Sequence, residues 1–395
     1  MLKFHVVIKL EKHKRKIFYI VVSFFWFSLY AYVPYVTPYA EELGTSLRLM
    51  GLIAGAYGFT QMVIRFPLGI FSDKLQKRKV FVQLGLVAAA VSGFLAFFFP
   101  SPVMLLVTRG LGGVAASVWV TFTVLGASYY KADEPTKVMG HMSAANAFGR
   151  MVALLTGGLI AQMLGVPYAF LLGGIGGVLG LVFGFGMKES QPQEKKIPEI
   201  KDLLEVARNK QLLFCSILGI LSMYISFATT FGFTPLAAAR LDASQLQLGL
   251  LGVLSTAPAI FISPLAGSVI PKKIGAANTL VIGFLIAGVG SAMVAFTNAL
   301  WSLFVVQIAA SIGIAIVSTL LLGLCIRDIS PEKRATAMGF FQAVYGLGMF
   351  LGPFLTGQIS HSFGLMAAFI VTGCIGLLGA VLTIVFAKQA KWKHS

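Results

Sequence analysis

The sequence predicts an all-α integral membrane protein, with twelve transmembrane helices arranged in two pseudo-symmetric six-helix bundles. Three observations predict this fold: the composition, the spacing of the apolar runs and an internal repeat. Of the 395 residues, 57% are hydrophobic and 11% are charged, and the mean hydropathy is +0.86. A soluble domain carries about 25% charged residues, so a chain this apolar requires a bilayer around it.

Twelve apolar runs account for most of the length. Each is long enough to cross the ~30 Å hydrocarbon core as a helix, which satisfies its own backbone hydrogen bonds in lipid. The runs cover residues 17–39, 48–71, 80–99, 102–129, 138–164, 167–187, 211–236, 246–270, 277–297, 300–325, 335–362 and 365–388. They predict an N-terminal bundle over 1–187, a cytoplasmic linker with an amphipathic helix over 188–210, and a C-terminal bundle over 211–395.

The distribution of Lys and Arg predicts the orientation. Of these 31 residues, 26 fall in segments that alternate onto one membrane face, whereas the opposite loops hold only Arg48 and Arg240. The positive-inside rule then places both termini in the cytoplasm of a multi-pass cell (inner) membrane protein. The bilayer therefore accounts for the net charge of +17, and no nucleic-acid partner is expected.

The three cysteines do not suggest a metal site or a disulfide. Cys215, Cys325 and Cys374 all lie in apolar runs and lack CxxC spacing. Cysteines of this kind are usually buried small apolar side chains. No cofactor and no metal are predicted.

An ungapped repeat relates the two halves of the chain. Glycines of the fifth and sixth spans recur 199 residues later, pairing Gly149 with Gly348, Gly158 with Gly357, Gly165 with Gly364 and Gly174 with Gly373. Six helices followed by six more is the parallel-repeat arrangement of transporters that bind substrate between the halves near the bilayer midplane.

The loop after the second span reads Gly69-Ile-Phe-Ser-Asp73-Lys74-Leu-Gln-Lys77-Arg78-Lys79. It resembles the signature loop of the major facilitator superfamily, G-x-x-x-D-[RK]-x-G-[RK]-[RK]. The resemblance extends over the whole chain, and Gln76 departs from it at the family's glycine, where we expect a different turn. Gly69 also suits a close approach of two helices.

The resemblance implies secondary transport by alternating access, with this loop as a latch on the cytoplasmic side. In the family the aspartate, here Asp73, contacts the start of the eleventh helix. The basic residues of the loop link to acids after the fourth helix, for which Asp133 and Glu134 are the candidates. The second half has Pro271 where the aspartate would be, so we expect the latch in the first half alone.

Two further elements resemble those of proton-coupled drug exporters. Arg109-Gly-Leu-Gly-Gly113-Val-Ala-Ala116 is similar to the R-x-x-x-G-x-x-A element, whose arginine the resemblance links to proton coupling. The antiporter motif G-x-x-x-G-P-x-x-G-G is degraded in the fifth span and better kept in the eleventh. As small residues at helical spacing, its members also suit helix packing: Gly149, Gly157, Gly348, Gly352 and Pro353.

Three arginines, Arg65, Arg109 and Arg150, fall inside spans, whereas no Asp or Glu lies well within any span. A charge at a helix centre costs at least ~2.5–3.5 kcal/mol, so each is a functional candidate, with packing or snorkelling as the alternative. The planar guanidinium suits a carboxylate or phosphate. The positive interior of the first half therefore favours an anionic ligand.

Polar and aromatic residues inside the spans are further candidates for a substrate cavity. They are Tyr32, Gln61, Trp119, Asn146, Gln307, Gln342 and Tyr345. Asn146 precedes Arg150 by four residues and shares its helix face. His141 is the one histidine near a span with plausible proton chemistry, although chance placement explains it as well.

Two versions of solute transport remain open. One is a carrier of an organic or inorganic anion bound by the interior arginines; the other is proton-driven efflux of drugs or amphipathic compounds. A membrane enzyme or a channel is the alternative of a different class, but no set of catalytic residues is evident and the five histidines are scattered. The expected partners are a small-molecule substrate, lipid and, in the second version, protons, and we expect a monomer.

Overall fold

The computed structural model describes residues 2–130, 135–189, 205–330 and 333–389, and the regular structure in these ranges is helical. The first six spans are Leu2–Tyr30 with Val36–Glu42, Leu47–Leu75, Arg78–Phe98, Pro102–Ser117 with Trp119–Ser128, Pro135–Leu164 and Val166–Phe185. The next four are Lys210–Ala228 with Thr234–Ala239, Gln245–Thr256 with Pro258–Pro264 and Ile270–Ile274, Ala276–Met293, and Leu300–Leu324. Most of the predicted linker 188–210 lies outside the described residues.

The last helical segment, Arg334–Gln389, contains two spans. Its 56 residues correspond to ~84 Å at 1.5 Å per residue, more than twice the ~30 Å hydrocarbon core. Gly364 breaks it with a φ of 85°. The described chain shows 11 stretches long and apolar enough to cross a membrane, and with this division the predicted twelve-helix fold is confirmed.

Capping residues begin several spans where the sequence turns apolar. Ser101 accepts a hydrogen bond from the backbone N–H of Met104 at the start of the fourth span. Asn209 caps the seventh span in the same way. Such caps satisfy backbone donors that have no partner within the helix, so the spans begin at defined positions next to polar loops.

The chain packs as two compact units. The first contains Met1–Val33 and Val63–Ile197, and the second contains Pro34–Met62 and Pro198–Ser395. In the first unit the first span packs on the fifth and sixth, and the third packs on the fourth and sixth. In the second unit the seventh span packs on the eleventh, and the ninth packs on the tenth and twelfth. The predicted boundaries at 187 and 211 follow the chain, whereas the packing in this structure joins residues 34–62 to the second unit.

Glycine provides the close approaches that this pattern needs. A Cβ on Gly149 would lie 2.2 Å from the carbonyl oxygen of Ser23, and one on Gly348 would lie 2.1 Å from that of Ile220. These equivalent positions therefore leave no room for a side chain. The other predicted packing positions, Gly157 and Gly352, approach backbone atoms of the first and seventh spans just as closely. Pro353 lies inside the eleventh span.

Candidate functional site

The loop after the second span turns through a left-handed residue. Gln76, at the glycine position of the motif, has a φ of 52°. A left-handed backbone is unfavourable for residues with a Cβ. Gln76 therefore bears this steric cost, and the different turn expected from the sequence stays a prediction.

Replacing Gln76 with glycine should therefore stabilise the protein. We expect a gain of roughly 0.5–1 kcal/mol, because a cost of ~1–2 kcal/mol is removed while the freer unfolded chain offsets part of it. Thermal unfolding in detergent measures this. Lys74→Gly, two residues earlier in helical backbone, is the control and should not stabilise. If the Gln76→Gly protein is no more stable than the wild type, the backbone at Gln76 is not strained.

The same loop contacts the end of the sixth span. The backbone N–H of Lys79 donates to Oε2 of Glu189 at 3.0 Å, and its Nζ donates to the carbonyl of Phe185 at 2.9 Å. Tyr129, at the end of the fourth span, donates to the carbonyl of Lys188. The described structure thus joins the start of the third span and the end of the fourth span to the end of the sixth.

Several predicted latch contacts cannot be placed. Asp133 and Glu134 lie outside the described residues, as does the side chain of Asp73, so their roles stay predictions. Among the basic residues, Lys74 and Lys77 are exposed and Arg78 is buried. The expected close approach at Gly69 is not found: a Cβ there meets no described atom within 4 Å.

The interior arginines lie in the first unit. Arg65 and Arg109 expose 7% and 3% of their surface, and Arg150 is half-buried. The guanidinium carbon of Arg150 lies 4.2 Å from the ring centre of Tyr30. Such a cation–π contact contributes ~0.5–2 kcal/mol, and it holds the Arg150 charge against the first span.

A polar cluster inside the first unit adjoins Arg109. The hydroxyl of Tyr32 lies 3.1 Å from Oγ of Ser92, and Thr108 donates to the Ser92 carbonyl at 2.9 Å. The ring of Tyr32 stacks on Phe170 with centroids 4.8 Å apart. Tyr32 is fully buried, so in this structure it exposes no surface to a solute.

An aromatic wall lies near Arg150. The rings of Trp26 and Trp119 are 5.2 Å apart, and those of Trp26 and Tyr30 are 5.8 Å apart. The buried Nε1 of Trp26 and Oδ1 of Asn146 have no hydrogen-bond partner among the described residues. An indole N–H and an amide oxygen are therefore available to a polar ligand beside the Arg150 charge.

The remaining cavity candidates lie in the second unit. Gln61, 6% exposed, belongs to it by packing. Gln307 is fully buried, and its Nε2 donates to the hydroxyl of Thr230 at 2.8 Å. Gln342 is half-buried, and the ring of Tyr345 packs edge-on against Phe341. Their role in a cavity stays a prediction.

Contacts that the sequence did not reveal join the first and second spans to the seventh, eighth and eleventh. Thr37 donates to the carbonyl of Gly232 at 2.7 Å, and Tyr35 donates to that of Gln245 at 3.3 Å. Glu41 and Arg240 form an ion pair at 2.6 Å. All of these contacts lie within the second unit, at the ends of the spans opposite the termini.

Glycine packing adds to these contacts. A Cβ on Gly51 would lie 2.5 Å from the carbonyl oxygen of Pro353 and 2.8 Å from the Cα of Gly357. We call the Thr37–Gly232, Glu41–Arg240 and Gly51–Gly357 contacts together the clamp. The Glu41–Arg240 side chains are 38% and 43% exposed, and an exposed pair contributes only ~0.2–1 kcal/mol. The backbone packing is therefore the main constraint.

The first span of each half, the first and the seventh of the chain, is interrupted near the clamp. Val33–Tyr35 is a 3₁₀ turn in the first span, and Thr229–Phe233 is a π turn in the seventh. Such breaks at corresponding positions of two halves mark the binding region in many transporters. The signal in the sequence is a proline near each break, Pro34 in the first span and Pro235 in the seventh.

Comparisons with known proteins agree with this architecture. The family model of the Major Facilitator Superfamily matches residues 18–244 and 217–393. An uncharacterised MFS-type transporter of Methanocaldococcus jannaschii, MJ1560, is 24% identical over 84% of this chain and 87% of its own. The quinolone resistance protein NorA of Staphylococcus aureus is 23% identical over 83% of this chain and 84% of its own. The inward-facing structure of a bacterial homologue of the human lysosomal transporter Spinster aligns over 96% of this chain and 97% of its own. The TM-score is 0.80 and the sequence identity is 13%.

Proposed function

The chain belongs to the Major Facilitator Superfamily, and on this basis we propose that it is a secondary transporter that moves a small anionic solute across the cell membrane by alternating access. The observation that carries the proposal is the charge of the first unit: Arg65 and Arg109 are buried inside it. Arg150 is held on a tyrosine ring, and the spans around these residues hold no interior acid.

The physical argument rests on solvation. Buried guanidinium groups raise the local potential in a low-dielectric interior, where a charge acts more strongly than in water. A carboxylate or phosphate that reaches them gains charge-assisted hydrogen bonds. The buried Trp26 indole N–H and Asn146 amide oxygen supply neutral polar contacts for the rest of the solute. The first unit thus offers positive charge, aromatic surface and hydrogen-bonding groups together.

Alternating access requires one face to seal while the other opens. The clamp supplies a seal at the ends opposite the termini, since Gly51 and Gly357 bring two backbones into direct contact. With the termini in the cytoplasm, as the distribution of Lys and Arg favours, the clamp closes the external side.

Proton-driven efflux of drug-like compounds is the second candidate. The similarity to the quinolone resistance protein NorA favours it, and so does the arginine element around Arg109. The composition of the spans opposes it, because an antiporter for cations generally requires a titratable acid within its cavity, and no interior span position holds one.

Transport by the purified protein in proteoliposomes separates the two candidates. Uptake and counterflow would be measured for a panel of organic carboxylates, phosphorylated solutes and cationic drugs, with an internal pH dye reporting proton movement. We expect exchange of one or more anions and no exchange of the cationic drugs. Drug transport coupled to proton flux, with every anion inert, would overturn the anion proposal in favour of the second candidate.

A further inference from the structure

A pocket lies at the end of the first unit where the first span begins. It has a volume of about 500 Å³, and Arg15, Lys16, Tyr19, Tyr130 and His141 form its polar side. Three of these five are basic types, and the described lining includes no acid. The pocket is thus suited to an anion.

Hydrogen bonds and ring contacts hold the polar side together. Nε of Arg15 donates to the carbonyl of Tyr129 at 2.9 Å, and its guanidinium lies 3.9 Å above the ring of Tyr130. The Tyr130 hydroxyl is 2.7 Å from that of Tyr19 and 3.2 Å from Nδ1 of His141. These contacts fix the cationic side chain of Arg15 before any ligand arrives, which lowers the entropic cost of binding.

An apolar groove continues from this pocket along the membrane. Its volume is about 350 Å³, and it runs between the first and fifth spans past Ile20, Phe24, Phe27 and Val152. The pocket and the groove share Tyr19 and Phe148. Ile20 and Phe148 are 39% and 64% exposed, so the groove opens sideways toward lipid.

The dimensions match one leaflet of a bilayer. From Arg15 to Phe27 the helix rises ~18 Å at 1.5 Å per residue, close to the ~15 Å that half of the hydrocarbon core spans. The cationic pocket therefore lies at headgroup depth and the groove at acyl-chain depth. A soluble anion would use the pocket and leave the groove empty, whereas a lipid uses both.

We propose that this pocket and groove form a binding site for an anionic phospholipid of the leaflet next to the termini, with its phosphate beside Arg15 and Lys16 and one acyl chain between the first and fifth spans. Basic residues at a membrane surface attract anionic lipid, and the first sixteen residues carry six of them. The site is separate from the interior arginines and does not depend on what the protein transports.

Lipid retention by the full-length protein tests the site. The protein would be purified from liposomes of equal phosphatidylglycerol and phosphatidylcholine, and bound lipid counted by native mass spectrometry. We expect retained phosphatidylglycerol, and roughly tenfold weaker retention in the Arg15→Gln/Lys16→Gln double variant. The matched control is Lys272→Gln/Lys273→Gln, an exposed basic pair in the second unit, which should retain lipid as the wild type does. Equal loss in both pairs, or equal retention of the two lipids, would overturn the proposal.

A second arm distinguishes the lipid from free phosphate. Val152→Trp places an indole in the groove without changing charge, and we expect it to lower phosphatidylglycerol retention. Inorganic phosphate and glycerol 3-phosphate, tested by thermal shift, should protect the protein less than the lipid does. If Val152→Trp retains lipid fully, or if the soluble phosphates protect as well as the lipid, the groove plays no part and the lipid site is refuted.

Discussion

Arg109→Gln is expected to reduce transport of the anionic substrate by at least about tenfold, because a hydrogen bond to a charged group contributes ~1.5–3 kcal/mol. Arg109 is 3% exposed. The substitution removes the charge and keeps a polar, although shorter, side chain. Counterflow in proteoliposomes measures the loss. Arg109→Lys keeps the charge but not the planar fork, so its transport rate should lie between those of the wild type and Arg109→Gln.

The control removes the same charge elsewhere. Arg48→Gln changes an exposed arginine in the first turn of the second span, and we expect transport close to wild type. Thermal unfolding of each variant in detergent distinguishes lost binding from lost folding. If Arg109→Gln folds normally and transports the anion at the wild-type rate, the positive interior does not bind the substrate, and Arg109 serves packing alone.

Much of the fold was predictable because lipid imposes simple requirements. Apolar runs of the right length must become helices, and the glycine repeat indicated how they pack. The pairing of Gly149 with Ser23 and of Gly348 with Ile220 then gives the repeat a physical basis. In both halves, one backbone contacts another where any side chain would collide.

Side-chain environments in the candidate site were less predictable, since they depend on how each helix is rotated. Position within the span suggested Tyr32 as a cavity residue, yet its ring stacks on Phe170 and is fully buried. The contacts of the clamp could not be predicted from the sequence for another reason. Thr37 and Gly232 are distant in sequence, and their hydrogen bond follows from tertiary packing that no local pattern encodes.

The clamp leads to the second large expected effect. Gly51→Leu should reduce transport by at least about tenfold, because its Cβ would lie 2.5 Å from the Pro353 carbonyl oxygen, and overpacking of a close contact costs typically ~1–3 kcal/mol. In the proposed alternating-access cycle, this cost applies to the closed clamp. A population shift of that size would hold the chain away from the closed clamp and interrupt the transport cycle.

Accessibility distinguishes an open clamp from a misfolded protein. Thr37 is 2% exposed, so a cysteine placed there, in a background without the native cysteines, should react slowly with a membrane-impermeant maleimide. Adding Gly51→Leu should speed the reaction several-fold while the protein stays folded. Gly323→Leu is the matched control, since a Cβ there meets no described atom within 4 Å, and it should change neither transport nor labelling. If Gly51→Leu leaves both unchanged, the backbone contact at Gly51 is not a seal, because a seal that tolerates a leucine in its contact cannot depend on that contact.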